Sequence, residues 1–200
     1  MRLKLDTKPA GEVVTLQDMK DHLRFQSDAE DVLIQAAVAA AVANLEGRNG
    51  RLNRAFLTQT WTLTLPRFWR GRLGLPFAPL QGVEAITYKT ALGATAEVSP
   101  ALYDVDTASE PGGITLKPGA SWPTDLADAL DAVTIEFTAG YGDEPSDIPQ
   151  GLRAAVMLMA ADLFQNREAQ TMNAELKPNA TVDWLITPYV CFNPDPLVLR

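Results

Sequence analysis

One cysteine and one histidine are all that 200 residues supply of the side chains most used for nucleophilic and metal chemistry. The lone thiol, Cys191, excludes an internal disulfide, so no covalent staple holds the fold, and it suits a reducing compartment. His22 would have to serve in any Ser–His–Asp, Cys–His or histidine–metal constellation. It falls off the stripe formed by Leu16, Met19 and Leu23, which reads as a surface position on a short helix. Neither CxxC nor HExxH occurs, so no zinc centre and no cofactor are expected. Apolar runs free of charge stay short of the ~18 residues that a bilayer span requires. Basic residues thin out along the chain: residues 1–75 carry 11 Lys and Arg against 8 Asp and Glu, and residues 76–200 carry 6 against 17. A chain this acidic is poorly equipped to grip duplex DNA, because that binding comes from Lys and Arg displacing counterions. It can stand beside DNA without holding it.

What is present is an ordinary globular composition, 46% apolar and 21% charged. Thr15 is a good N-cap, and Leu16, Met19 and Leu23 recur at helical spacing, predicting a short helix over about 15–25. Ser27 or Asp28 caps a longer one over about 28–46, whose run from Ala36 to Val42 is mostly alanine and lets a neighbouring helix approach closely. The segments WTLTL (61–65), VEAITYK (83–89), YDVD (103–106), GITL (113–116) and AVTIEFTA (132–139) then alternate apolar and polar residues, separated by proline and glycine. Helical spacing returns over about 149–167, with Pro149 near the first helical position, and over about 180–187 before Pro188. The fold class is therefore α+β: a small bundle of about four helices with an inserted antiparallel β barrel or sandwich. The expected organisation is an N-terminal helical part (1–55), the β insertion (56–139), a C-terminal helical part (140–192) and an extended tail (193–200).

Four features carry candidate function. Gly140-Tyr141-Gly142 follows a strand and precedes a helix, as a phosphate loop would, but the third glycine is missing and Asp143 and Glu144 would repel an anion. It reads instead as the exit from the sheet. Asp104 with Asp106, and Asp125 with Asp128 and Asp131, could line a hydrolytic cleft, although neither group continues into a calcium-binding pattern and a solvated acidic face is the simpler reading. Arg48, Arg51 and Arg54 follow the long helix, and Arg67, Arg70 and Arg72 surround Phe68 and Trp69. In a chain whose two parts differ in charge, such arginines suit acidic protein surfaces of neighbours or are ordinary surface residues. The tail FNPDPLVLR cannot be helical, yet Pro196, Leu197, Val198, Leu199 and Arg200 form a largely apolar end that suits docking onto another chain.

Several strings together carry a likeness. They are VVTLQDMKDHLRFQSDAEDVLIQAAVAAA (13–41), LTQTWTLTL (57–65), FTAGYGDEPSDIPQGLRAAVMLMAADLFQNRE (137–168), and the late helix with its tail. In these the chain resembles the head–tail connector (adaptor) proteins of long-tailed phages and of phage-like gene transfer agents. The resemblance implies a non-enzymatic ring, dodecameric in the family, made in the bacterial cytoplasm and built into the particle neck. It would dock under the portal protein through the C-terminal segment (Pro196–Arg200), receive the stopper or tail-completion protein beneath, and let DNA pass through its lumen unbound, with no membrane involved. Arg48, Arg51 and Arg54 would meet neighbouring copies or the portal. A stopper or other neck component, and a carboxylate-dependent hydrolase using Asp104 and Asp106 or Asp125 and Asp128, stand as the alternatives.

Overall fold

A computed structural model of the chain describes residues 1–166 and 179–192. Helix α1 (Leu16–Leu23) starts where Thr15 Oγ1 accepts a hydrogen bond from the Asp18 amide at 3.1 Å, and it stops at Arg24, whose φ of 54° is left-handed. Helix α2 (Asp31–Leu45) begins later than its sequence signals suggest, with Glu30 at the N-cap position. The predicted caps act otherwise: Ser27 Oγ accepts from the Ala29 amide, and Asp28 binds Lys20. The Lys20 ammonium lies between Asp28 at 2.6 Å and Asp31 at 2.9 Å. One cation thus ties α1 to the acidic start of α2, where carboxylates also favour the helix dipole.

Helices α3 (Gln150–Gln165) and α4 (Ala180–Ile186) complete the helical half. Pro149 stands at the N-cap of α3, and Asn179 caps α4 through the Thr181 amide. Buried Ile34, Ala37, Ala41 and Leu45 of α2 meet Leu152, Ala155, Val156 and Ala160 of α3. The small side chains on both sides let the two axes come close. Val182 and Ile186 of α4 close the same core, and Arg153 reaches Asp18 of α1 at 3.2 Å.

The β half holds two antiparallel sheets. The larger orders its strands β1 (Arg2–Thr7), β2 (Gln59–Leu65), β8 (Val133–Ala139), β4 (Leu80–Lys89) and β5 (Thr95–Glu97). The smaller orders β3 (Arg72–Gly74), β7 (Gly113–Leu116) and β6 (Tyr103–Asp106). The sheets do not close into a barrel, since β1 and β5 remain edges; they share one core instead. Leu63 and Ile135, paired across β2 and β8, point into it with Ile86 of β4, and Ile114 and Tyr103 enter from the second sheet. Residues 2–7, grouped with the helical part on sequence grounds, are instead the edge strand of the larger sheet, pairing Leu3 with Leu63 and Leu5 with Trp61.

The two halves meet where residues 55–58 cross residues 140–142. The Tyr141 amide donates to Phe56 O and the Thr58 amide to Gly142 O, both at 2.9 Å. Gly140 has φ 137°, and a Cβ there would sit 2.5 Å from Leu57 O. Glycine is the residue this crossing admits. The Gly-Tyr-Gly run is the joint between sheet and helices, with the N–H groups of Gly140 and Tyr141 donating to Pro79 O and Phe56 O.

Candidate functional site

Between Asp31 and Asn44, α2 carries a single polar side chain, Gln35. A helix apolar around its whole circumference is normally enclosed by protein. Here α3 covers one face only, and Val32 (77% exposed), Leu33, Ala36, Ala39, Ala40 and Ala43 lie open. Along one flank of α2 runs a groove of about 730 Å³, floored by Val13, Val14, Val38, Val42 and Leu57 and rimmed by Lys8, Glu12 and Gln35. On the other flank, towards α3 and α4, a second hollow of about 450 Å³ is lined by Ala40, Met159, Leu163 and Val182 with Arg51, Asp162 and Asp183. Trp184 stands 75% exposed on α4, opposite the buried Val182–Ile186 side, and Phe192 is 84% exposed where the described chain ends. Open apolar surface is therefore concentrated on the helical half.

The three arginines that follow α2 separate in space. Arg48 is exposed; Arg51 meets Asp183 of α4 at 2.5 Å at the surface. Arg54 is 3% exposed, and its side chain is occupied within the subunit. Its Nη1 donates to Glu110 Oε1 at 2.9 Å, its Nη2 to Glu110 Oε2, and its Nε to Tyr189 O at 2.5 Å. The Tyr141 ring lies 5.8 Å from Cζ. Burial works against the guanidinium charge, but Glu110 together with the nearby Tyr141 and Cys191 more than offsets it, while Arg54 holds Glu110 below the usual glutamate range. The Tyr141 hydroxyl is pushed up to about 12, chiefly by burial.

The aromatic–arginine cluster behaves similarly. Phe68 stacks on Trp122 at 4.8 Å and 3°, and Trp122 Nε1 donates to Trp69 O at 3.0 Å, so these rings face one another. Arg67 and Arg70 are exposed, and Arg72 donates to Pro111 O at 2.6 Å. Of the carboxylates weighed for catalysis, Asp106 builds a turn: it accepts from the Ala108 and Ser109 amides at 3.0 Å and is lowered to about 2, first by its Ser109 bonds. Such a group is a weak base near neutral pH. Asp104 lies 3.7 Å from Lys117, Asp131 lies 2.6 Å from Lys89, and Asp125 and Asp128 are exposed. His22 is exposed on α1. Among the described residues no three His, Cys, Asp or Glu side chains converge as metal ligands, and no helix is long and apolar enough to cross a membrane. Pro196–Arg200, expected from the sequence to dock on another chain, lie outside the described residues.

No protein-family model matches the chain, and no curated protein matches it. Among solved structures it is similar to a chain in the neck of an empty gene transfer agent (GTA) particle computed with C6 symmetry, at 28% identity and a TM-score of 0.78. It is similar to a chain in the virion of a native GTA particle, at 26% identity and a TM-score of 0.77. A chain in the neck of a native GTA particle computed with C12 symmetry aligns at 25% identity and a TM-score of 0.71. In each case the match covers 97% of both chains. The similarity thus spans helices and β insertion together, and the neighbours are structural components of particles.

Proposed function

We propose that this chain is a head–tail connector, an adaptor whose copies form a ring in the neck of a phage-like particle, between the portal and the stopper or tail. The observation that carries the reading is the end-to-end similarity to chains of GTA necks. Their C6 and C12 symmetries suit a ring of identical subunits, and a cyclic ring requires two unlike patches on each copy that fit one another. The helical half offers such patches: an apolar groove on one flank of α2, and Trp184 with the open face of α4 on the other side of the bundle. A second copy covering α2 would resolve its all-round apolarity. Arg48 and Arg51 lie at the surface for neighbour or portal contacts, and the tail Pro196–Arg200 is the portal-docking element. DNA would pass the ring unheld, in keeping with the surplus of carboxylates. No catalytic role is assigned.

The test is electron microscopy of the purified full chain mixed with the portal of its own particle. A collar of density on the portal, lost on deletion of residues 193–200, supports the adaptor. A stopper is a neck component too, and the similarity to neck and virion chains suits it equally. A chain that ignores the portal and binds an already assembled adaptor ring is a stopper, and that result overturns the proposal.

A further inference from the structure

Three consecutive residues hold the last described stretch of the chain. The Cys191 amide donates to Leu52 O at 3.0 Å, Asn53 Nδ2 donates to Cys191 O at 3.1 Å, and Arg54 Nε donates to Tyr189 O at 2.5 Å. Asn53 sits in the left-handed region at φ 51°, a conformation that asparagine tolerates better than most residues. On their other side the same residues are fastened to the β half: the Ala78 amide donates to Asn53 O at 3.4 Å, and Arg54 grips Glu110 with both terminal nitrogens. Glu110 belongs to the loop between β6 and β7, 56 residues from Arg54 in sequence and 79 from Tyr189. The loop's far end is braced by Arg72 on Pro111 O, and Asp106 caps its beginning.

We propose that Leu52–Arg54 is a clamp on the root of the C-terminal tail, and that Arg54 makes the 106–111 loop of the β insertion and the tail root move as one body. This rests on the reading of the tail as the docking element. A tail whose root is held at a fixed point loses less freedom on docking than one whose root is frayed, and its effective concentration at the receiving groove is higher. The clamp also gives the β insertion a function in docking: whatever seats against the 106–111 loop bears on the tail root. Arg54 acts through Tyr189 and Glu110, so it is a positioning residue. The docking contacts belong to the tail itself.

Hydrogen–deuterium exchange on the full chain decides the clamp. In Arg54→Met, exchange is expected to rise together at Val190–Phe192 and at 107–110, and by more than at Leu152–Ala160 in the helical core, whose change reports only the loss of global stability. Glu110→Gln removes the charge but leaves the Arg54–Tyr189 bond; because Glu110 is half exposed, this variant keeps the fold if Arg54→Met does not. It is expected to loosen both segments by a smaller amount, and Arg54→Lys to restore part of the protection. Loosening of one segment with the other unchanged overturns the coupling. The second readout is affinity for the purified portal: about tenfold weaker in Arg54→Met, with a synthetic 189–200 peptide binding as weakly as before. Wild-type affinity in a variant whose root exchanges freely overturns the positioning role. A wild-type chain that does not bind the portal at all defeats the adaptor reading, and the exchange result still decides the clamp.

Discussion

The β half is finished on its own, and the helical half is not. In the β half, side chains from both sheets fill one core, the aromatic rings of Phe68, Trp69 and Trp122 face each other, and the large apolar residues left exposed are Met1 before β1 and the loop residues Leu92 and Leu130. In the helical half, α2 has one covered face, two hollows flank it, and Val32, Leu33, Leu163, Trp184 and Phe192 stand open. A folded chain keeps such surface when another chain is to cover it. On the proposed reading, the difference gives stability to one half and assembly to the other.

Mutations at the joint and in the β core break this division most severely. Gly140→Ala forces a side chain into a φ of 137° and against Leu57 O, where backbone must move. Phe137, fully buried in β8 and paired with Trp61, loses its contacts on truncation to alanine. Each is expected to cost about 3–5 kcal/mol in urea unfolding, enough to leave little soluble protein. Arg54→Met comes next, at about 2–4 kcal/mol, since it leaves Tyr189 O and the Glu110 carboxylate without their donor; the half-exposed Glu110 keeps the figure below that of a fully buried pair. Ala41→Leu, on the wholly buried line between α2 and α3, overfills a close contact and is expected to cost about 1–3 kcal/mol.

Two glutamates separate the halves by pH. Glu110 is held below its ordinary value of 4.5 by Arg54, so its contribution is present above that value and is lost as pH falls through the lowered one. Glu46, at the end of α2, is raised from 4.5 by burial, although its Oε1 accepts from the Phe56 amide at 2.6 Å and from Gln59 Nε2 at 2.5 Å. Its contribution is present below 4.5 and is lost as pH rises through the raised value. A glutamine at 46 still accepts both bonds and carries no charge to bury. Glu46→Gln is therefore expected to gain on wild type as pH rises above 4.5 in thermal melts, while Glu110→Gln falls behind it below that, as pH rises from the lowered value to 4.5, and then stays a constant amount less stable. Parallel curves for the two variants would remove the distinction.

Local signals were legible in the sequence, and partnerships across distance were not. The four described helices followed from 3.6-residue spacing, α1 also from its Thr15 cap, and β2, β4, β6, β7 and β8 from alternation, because those patterns lie within single segments. Strands β3 and β5 are three residues long, too short to alternate visibly, and β1 becomes a strand through pairing with β2 some sixty residues away. Arg48, Arg51 and Arg54 looked like one cluster because their spacing repeats by three. The chain there is not helical, so they diverge, and Arg54 is drawn inward by residues 110, 141 and 189. Spacing could not have revealed that role. The one available hint was that Arg54 runs straight into the apolar Ala55-Phe56-Leu57, where a solvated charge is out of place.

The smallest effect on the monomer is the most informative about the comparison. Val32→Ser and Trp184→Ser each exchange an exposed apolar side chain for a hydroxyl, removing nothing from either core. Surface changes of this kind shift unfolding by about 0.5 kcal/mol or less. In the β half a matching change at exposed Leu92 should also be silent, both in unfolding and in assembly. If the helical half is an unfinished interface, the first two variants melt like wild type yet fail to form rings on the portal, because each contact is repeated at every subunit boundary and a small loss is multiplied around the ring. Rings that form normally with both residues changed would show that α2 and α4 are covered by nothing, and the division of labour between the halves would have to be drawn elsewhere.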